Sequence, residues 1–339
     1  MIAEGHGPRY SLVIPIFNEE AVLPLLIRRI KALLDQLDGP SEAIFVDDGS
    51  RDTSAIYLRE MAMTDPRIRL IELSRNFGHQ VAITAGMDAA GGDAVIVMDA
   101  DLQDPPEIVL QLIAKWKEGN EIVYARRIKR EGETRFKRLT ANLFYRLMAR
   151  LTSVDIPRDV GDFRLVGRKA LDSFKQMPER DRFVRGMFAW IGFKQAEVAF
   201  ERPARAAGET KYPFWKMARL AVHGIVSFSE KPLRLALWGG MAICIFSALF
   251  GVYAAAAKLM GYHVADGWAS TVVLVAFLNG VNLFMTGVVG LYVGGIHAEV
   301  KRRPLYLVDR LTGFEEAIKA EAEHRGAPVP LSGRDRRAG

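Results

Sequence analysis

The sequence predicts an α/β protein followed by a C-terminal pair of membrane-spanning helices. Short apolar runs alternate with longer amphipathic stretches between Tyr10 and Ala125, which is typical of β-α-β units with a parallel sheet. The region after Leu233 is far more apolar than the region before it. The length of 339 residues leaves room for a main domain and an accessory region.

Five of the apolar runs predict strands, and residues 19–37 predict a helix between the first two. The strand runs are SLVIP, AIFVDD, RIRLIEL, AVIVMD and EIVYA. Open α/β sheets bind ligands beyond the carboxyl ends of their strands. Polar and acidic residues stand there, namely Asn18 and Glu19 after the first strand, Asp47 and Asp48 at the end of the second, and Asp99 and Asp101 at a later one. Asn18 and Asp52 are equally well explained as helix caps.

Two long apolar runs predict the membrane helices. Between Leu233 and Ala257 the only charge is Arg234, and between Trp268 and Ile296 there is none. Each run exceeds the roughly 20 residues that a helix needs to cross about 30 Å of hydrocarbon. We therefore predict spans at 233–257 and 268–296, with a buried hairpin of a soluble protein as the alternative.

Basic residues flank the spans on one side only. Lys231 and Arg234 lie at the start of the first, and residues 301–303 (KRR) follow the second, so both outer flanks and both termini are predicted to be cytoplasmic. Segment 211–232 mixes aromatic residues with Lys and Arg, which is typical of an interfacial connector. Segment 297–339 is predicted to be a cytoplasmic tail with a disordered end. No secretory signal is expected at the N-terminus.

The formal charge of +6 favours an anionic partner without identifying it, since nucleic acid, a membrane surface and a phosphorylated substrate all attract Lys and Arg. Residues 126–150 are strongly basic and predict an amphipathic helix. Because membrane spans follow, a membrane-surface role is favoured and no nucleic-acid partner is expected. The single cysteine, Cys244, excludes an intrachain disulfide.

The stretch AVIVMDADLQDPPE is the strongest motif. An apolar strand delivers Asp99 and Asp101 at its end, and Gln103 follows at once. Mg²⁺ or Mn²⁺ accepts one or two carboxylates and completes its shell with waters and substrate phosphates. The motif therefore predicts a site for a divalent metal together with a diphosphate.

Seven segments together resemble the family 2 glycosyltransferases of GT-A fold, and within them the polyisoprenyl-phosphate glycosyltransferases, such as dolichyl-phosphate mannose synthases and bactoprenol glucosyltransferases. They are VIPIFNEE, FVDDGSRDTS, LSRNFGHQVAITAGMDAAGGDAVIVMDADLQDPPE, VYARR, GDFRL, RFVRGMFAWIGF and RPARAAGETKYP. The resemblance covers nearly the whole chain. It implies a GT-A catalytic domain over 1–210, two membrane helices and a homo-oligomer, with a tetramer in some bacterial members.

The resemblance also implies roles for individual residues. The nucleotide-sugar would contact Pro15, Phe17, Glu19, Val46, Asp48, Asp99, Ala100, Gln103 and Arg126, and the metal would be held by Asp99, Asp101 and Gln103. Asp162 and Asp101 would be catalytic, with Asp162 as the candidate base. Arg205 and Lys211, with Arg202 beside them, would bind phosphate near the membrane, although a solvated charge run explains these three as well. Phe17 is equally explained as a core residue, and His79 as a core or helix-terminus residue.

The implied reaction is inverting transfer of a sugar, with UDP-glucose as the first candidate donor, to a polyisoprenyl (undecaprenyl) phosphate at the cytoplasmic membrane face. Transfer of mannose, an N-acetylhexosamine or aminoarabinose, and a catalytically silent membrane scaffold, remain alternatives. A processive polysaccharide synthase is disfavoured because more spans and a Q-x-x-R-W motif are expected for it. A phosphate acceptor is already largely ionised at neutral pH, so we expect loss of Asp162 to harm activity less than loss of Asp101.

Overall fold

The structure is a computed structural model that describes residues 7–127, 160–180, 182–201, 231–260 and 267–314. These residues form an eight-stranded sheet, helices on both of its faces and two long C-terminal helices, which confirms the predicted α/β class. The strands are β1 (Tyr10–Ile16), β2 (Ser41–Asp47), β3 (Ile68–Leu73), β4 (Ala94–Val97), β5 (Ile122–Arg127), β6 (Val160–Gly167), β7 (Gln195–Phe200) and β8 (Val308–Thr312). The helices are α1 (Leu23–Leu34), α2 (Ser54–Thr64), α3 (His79–Ala89), α4 (Ile108–Lys117), α5 (Arg168–Lys175), α6 (Val184–Ile191), α7 (Lys231–Leu259) and α8 (Trp268–Val300).

The sheet is mixed, with the order β7-β5-β6-β4-β1-β2-β3-β8. β4, β1, β2 and β3 are parallel neighbours, as predicted. β6 runs antiparallel to both β4 and β5, and β8 runs antiparallel to β3. The strands predicted between Tyr10 and Ala125, β1 to β5, therefore all run in one direction, which confirms the expected parallel arrangement. The antiparallel β6 and β8 lie in segments for which no strand was predicted.

Helices cover both faces of the sheet and bury two apolar clusters. α1, α2 and α4 pack on one face, and α3, α5 and α6 pack on the other. Every residue of β1 is buried, as expected for a strand covered on both sides. α3 lies close against β1, because a Cβ atom on Gly86 would overlap the side chain of Val13.

The first helix is shorter than predicted. α1 begins at Leu23, with a proline in its first turn, and ends at Leu34. The carbonyl of Glu19 accepts hydrogen bonds from the N–H groups of Val22 and Leu23 at 3.0 and 3.1 Å. The residues before α1 therefore form a loop beyond the carboxyl end of β1.

The two C-terminal helices contain the predicted spans. Leu233–Tyr253 and Val273–Val300 are long and apolar enough to cross a membrane, with mean hydropathies of 2.1 and 1.8. Neither stretch is buried within the protein, and both expose large apolar side chains such as Phe246 and Phe284. By length and composition, α7 and α8 are candidate membrane helices.

The chain returns to the sheet after α8. β8 pairs with β3, with Leu311 opposite Ile71. The Tyr306 hydroxyl donates a hydrogen bond to Asp88 Oδ2 on α3 at 3.0 Å. Residues 308–312 are therefore a strand of the sheet, and assigning all of 297–339 to a tail is wrong for them. The sequence did not indicate this strand, because the run VDRLT has no strong strand pattern. The rest of that tail after 314, and most of the connector (211–230), lie outside the described residues.

Candidate active site

The candidate site lies at the edge of the sheet where β1, β2 and β4 end. Because β6 runs in the opposite direction, its first residues lie at this same edge. Residues after β1, β2 and β4 therefore meet Asp162 from the start of β6. The structure places His79, the first residue of α3, between Asp99 and Asp162.

The loops after β1 and β2 are joined by hydrogen bonds. Asn18 Oδ1 accepts from the N–H of Arg51 at 2.8 Å, and the N–H of Asn18 donates to Ser50 Oγ at 2.9 Å. Asp52 Oδ1 accepts from the N–H of Ser54, the first residue of α2, at 3.0 Å. Asp52 Oδ2 also accepts from the N–H of Glu20 at 3.2 Å, so Asn18 and Asp52 both link the two loops. Neither is the N-cap residue of the helix that follows, since Val22 and Thr53 hold those positions.

Phe17 projects from this joined pair of loops. Its side chain is 44% exposed, so it is not the core residue that one interpretation of the sequence allows. Asn18 beside it has a φ of 55°, a left-handed conformation that non-glycine residues adopt most readily as Asn or Asp. The turn therefore presents an aromatic face to solvent at the site edge, where a nucleobase could stack.

Asp48 holds the loop after β3 in place. Its two carboxylate oxygens accept from the N–H groups of Phe77 and Gly78 at 2.7 and 2.9 Å. Burial raises the pKa of Asp48, and these hydrogen bonds oppose the rise. The adjacent Gly49 has a φ of +70°, and a Cβ there would overlap the backbone of Arg75. Asp48 therefore fixes the position of the loop that leads into α3.

The loop after β4 is held in an uncommon conformation. Leu102, between Asp101 and Gln103, has a φ of 58°, which is unfavourable for a bulky residue and is characteristic of functional sites. Asp101 Oδ1 accepts from the N–H of Gln103 at 3.0 Å. Asp104 is fully buried and lies 3.6 Å from the guanidinium of Arg127 on β5.

The residues of this loop fit a hard divalent cation. Asp99 Oδ1 is buried and makes no hydrogen bond of good geometry with the residues that the structure describes. Asp101 and Gln103 follow it within the same tight loop and offer further oxygen atoms, the ligands that Mg²⁺ and Mn²⁺ prefer. No group of three or more His, Cys, Asp and Glu side chains is placed to hold a metal within the described part of the chain. Mg²⁺ bound by one or two carboxylates usually takes its remaining ligands from phosphates and water.

Asp162 lies at the centre of a charged network and is only 5% exposed. Arg185, on α6, donates from Nε to Oδ1 at 3.0 Å and from Nη2 to Oδ2 at 3.1 Å. Gln80 Nε2 donates to Oδ2 at 3.1 Å, and Arg164 Nη2 lies 3.5 Å from Oδ1. Burial opposes ionisation, but the charge of Arg185, with His79 and Arg164, holds the pKa of Asp162 well below its usual range. Asp162 is consequently an anion with low proton affinity.

His79 connects this network with the β4 loop. Its Nε2 lies 3.3 Å from Asp99 Oδ1 and 3.4 Å from Asp162 Oδ2. Burial of the ring lowers the pKa of His79, but its interactions with Asp162 and Asp99 outweigh burial and raise it to about 10. The ring is therefore a cation between two carboxylates, a position that the sequence did not distinguish from a core or helix-terminus one.

The other site residues predicted from the sequence are buried, are paired with another side chain, or lie outside the described residues. Pro15, Val46 and Ala100 are buried, and Val46 lies in the core against α3, so a ligand could reach Val46 only through its backbone. Arg126 Nε lies 2.8 Å from Glu197 Oε2, so a phosphate would compete with that carboxylate. Glu19 is partly buried in the loop after β1. Arg202, Arg205 and Lys211 lie outside the described residues.

Sequence reasoning missed four residues of the site: Gln80, Arg127, Arg164 and Arg185. All four stand in segments that carry the family resemblance, namely Gln80 after His79, Arg127 in VYARR, Arg164 in GDFRL and Arg185 in RFVRGMF. The family resemblance identified these segments but implied no role for these four residues. The contacts of Gln80 and Arg185 with Asp162, and of Arg127 with Asp104, join positions more than twenty residues apart, which no local pattern specifies.

Comparison with known proteins supports the architecture described above. Residues 11–174 match the family described as "Glycosyl transferase family 2". The chain is 49% identical over 316 residues to "Uncharacterized glycosyltransferase YkcC" of Bacillus subtilis, covering 93% of this chain and 98% of that protein. It is 37% identical over 320 residues to the "SfII prophage-derived bactoprenol glucosyl transferase" of Shigella flexneri, covering 94% and 100% respectively.

Among solved structures, the chain is similar to glucosyl-3-phosphoglycerate synthase from Mycobacterium tuberculosis in complex with Mn²⁺, UDP-glucose and phosphoglyceric acid. The TM-score is 0.44 at 24% identity, covering 65% of this chain and 79% of that one. The family assignment depends on the sequence matches, which extend over nearly the full length of both chains. The chain belongs to glycosyl transferase family 2, in the branch that contains the bactoprenol glucosyl transferases.

Proposed function

We propose that this protein transfers a sugar, glucose as first candidate, from a nucleoside-diphosphate sugar to a polyisoprenyl phosphate at the cytoplasmic face of the membrane. The observation that carries the proposal is the meeting of Asp99, Asp101 and Asp162 at one sheet edge. The relatives named as bactoprenol glucosyl transferases support the choice of sugar and acceptor.

The donor side consists of the loops after β1, β2 and β4. Phe17 offers an exposed ring for stacking on the base, and we assign Asp99, Asp101 and Gln103 to holding Mg²⁺ or Mn²⁺ with the diphosphate. Such a cation neutralises the charge that develops on a departing nucleoside diphosphate. The strained β4 loop sets these oxygen atoms before a ligand arrives, so little reorganisation is needed on binding.

The acceptor side faces the membrane in this proposal. α7 and α8 are long and apolar enough to cross a bilayer. Because β8 and Tyr306 join the segment after α8 to the α/β domain, a lipid held near the ends of these helices stays close to that domain. Basic residues at the start of α7 and after α8 favour a cytoplasmic location of the site. Arg202, Arg205 and Lys211 remain proposed contacts for the lipid's phosphate.

The proposed reaction is a single displacement with inversion. An oxygen of the acceptor phosphate forms a bond with the anomeric carbon, while the bond from that carbon to the diphosphate oxygen breaks. A phosphate monoester has a second pKa of about 6, so at neutral pH the attacking oxygen needs little deprotonation. The low proton affinity of Asp162 is consistent with this, and we assign Asp162 to positioning rather than to proton removal.

A transfer assay tests the proposal. Membranes containing the full chain are supplied with undecaprenyl phosphate, Mg²⁺ or Mn²⁺ and one radiolabelled donor at a time: UDP-glucose, then GDP-mannose, a UDP-N-acetylhexosamine and UDP-aminoarabinose. We expect labelled lipid with UDP-glucose and loss of labelling in excess EDTA. Labelling with a different donor would correct the sugar, whereas no labelling with any donor would favour the scaffold alternative.

A further inference from the structure

Strand β6 contains a bulge at the residue that it brings to the site. Tyr124 of β5 pairs with Arg164 of β6, and the next pair along the two strands joins Arg126 with Val160. Between these pairs β5 has one residue, whereas β6 has three: Gly161, Asp162 and Phe163. A β-bulge interrupts the regular ladder and turns a side chain in a new direction, and bulges are frequent next to active sites. Asp162 therefore extends from an irregular stretch of backbone that needs support.

Arg164 supplies that support from within the same strand. Its Nη2 donates to the carbonyl of Gly161 at 2.9 Å, and its Nε donates to the carbonyl of Asp162 at 3.2 Å. Nη2 also lies 3.5 Å from Asp162 Oδ1. Among the described residues, Arg164 makes hydrogen bonds only with this dipeptide, and its Nη1 makes none. One guanidinium thus holds both the backbone of the bulge and the carboxylate that the bulge carries.

Arg164 cannot reach a substrate itself, because its side chain is fully buried. The guanidinium carbon lies 5.3 Å from the centre of the Tyr124 ring and 5.4 Å from that of Phe188 on α6. Contacts of this kind hold a cation against an aromatic face. Any effect of Arg164 on the reaction must therefore pass through Asp162, whose Oδ2 lies 3.4 Å from His79 Nε2 at the centre of the site.

Support for the strand alone does not require a guanidinium. Burial of a charged group costs free energy, and replacing a buried ion pair by apolar side chains of similar size is often neutral or stabilising. Burial accordingly lowers the pKa of Arg164. Val160 and Val166 of the same strand bury apolar side chains in the cluster beneath α3, α5 and α6. A cation among these apolar side chains is explained by the carboxylate that it holds.

We propose that Arg164 is a positioning residue for sugar transfer, which braces the bulge of β6 and sets the direction in which Asp162 presents its carboxylate at the site. The inference rests on the proposed function and deepens it, because it gives a described residue outside the substrate's reach a part in the reaction. Arg164 acts only as long as Asp162 is present.

The test is a double-mutant cycle in the full-length protein, with UDP-glucose and undecaprenyl phosphate as substrates. It compares the wild type with Arg164→Met, Asp162→Ala and the double variant. Loss of the brace should lower kcat/KM for undecaprenyl phosphate about tenfold and leave the KM for UDP-glucose within about twofold. In the Asp162→Ala background, Arg164→Met should lower kcat/KM by less than about twofold, because the side chain through which it acts is absent.

Arg168→Met is the matched control. Arg168 Nη2 donates to the carbonyls of Ala90 and Gly92 at the opposite end of the sheet, so Arg168 also braces backbone but contacts no site residue. Its loss should leave both KM values and kcat within about twofold. UDP binding by calorimetry with Mg²⁺ checks that each variant is folded.

More conservative variants cover a failure to fold. Should Arg164→Met or Asp162→Ala not bind UDP, Arg164→Lys or Asp162→Asn takes its place in the cycle. Lysine keeps the buried charge but cannot reproduce the forked geometry of a guanidinium, so its loss of kcat/KM should be smaller than that of Arg164→Met.

Two results would overturn the inference. The first is an unchanged kcat/KM for undecaprenyl phosphate in the folded Arg164 variant. The second is an equal loss with and without the Asp162 carboxylate, since Arg164 would then act independently of it. Either leaves the proposed function standing as long as the wild type transfers sugar to undecaprenyl phosphate. Absence of transfer by the wild type would instead refute the proposed function itself.

Discussion

The two sides of the site edge are held by different forces. On the β1–β2–β3 side, main-chain N–H groups donate to Asn18 and Asp48, and these bonds join three loops. On the β6–α6 side, Asp162 is held by the guanidinium groups of Arg164 and Arg185. The first side forms a shaped cradle, whereas the second concentrates charge. We infer that substitutions on the β1–β2–β3 side lower mainly the free energy of unfolding. Substitutions on the β6–α6 side should lower mainly the rate of sugar transfer.

Asp101→Asn, in the loop between the two sides, should have the largest effect. Removing one of two proposed metal-binding carboxylates costs several kcal/mol of transition-state stabilisation, so kcat should fall by about a hundredfold or more. The measurement is the initial rate of labelled-lipid formation at saturating Mg²⁺. Asp172→Asn, which changes an exposed carboxylate on α5, is the control and should match the wild type. A fall of less than about tenfold in Asp101→Asn would argue against the metal assignment.

Asp162→Asn should have the next largest effect and tests the charged side. Weakening its bonds to Arg185 costs about 1.5–3 kcal/mol, so kcat/KM for the acceptor should fall roughly tenfold to a hundredfold. The same assay measures it beside Asp101→Asn at equal metal concentration. Should Asp162→Asn prove the more damaging of the two, the reaction needs a true base and the assignment of Asp162 to positioning is wrong.

Asp48→Ala tests the hydrogen-bonded side. Loss of the carboxylate leaves the N–H groups of Phe77 and Gly78 without their acceptor, so the free energy of unfolding should fall by about 1–3 kcal/mol. A thermal melt of the detergent-solubilised full chain measures the change, with Asp35→Ala, an exposed partner of Arg67, as control. An unchanged melting midpoint with a raised KM for UDP-glucose would show that Asp48 acts on the ligand directly.

Tyr306→Phe should have the smallest effect and tests the return of the chain from α8. It removes the hydrogen bond to Asp88 on α3, which should lower the free energy of unfolding by about 1 kcal/mol. Tyr57→Phe, which changes a partly buried tyrosine on α2, is the control in the same melt. Equal midpoints for the two variants would mean that this contact does not join the segment after α8 to the domain.

Much of the first half of the chain was predictable because its pattern is local. The strands β1 to β5 lie where apolar runs occur, and Asp48, Asp99 and Asp101 follow strands as expected. The helix before β2 was predicted too long, because the polar residues after Phe17 fit a helical pattern but fold into a loop. The apolar runs of α7 and α8 were equally evident from the sequence.

The sequence by itself determined the strand runs, the acidic residues at their ends and the apolar spans, because periodicity and side-chain chemistry can be read along one segment. Tertiary structure alone decided that β6 is antiparallel, which brings Asp162 to the site, and that α6 sets Arg185 against it. It also decided that β8 completes the sheet. These pairings join residues far apart in the chain, and their energies depend on strand direction and on charges that meet only after folding.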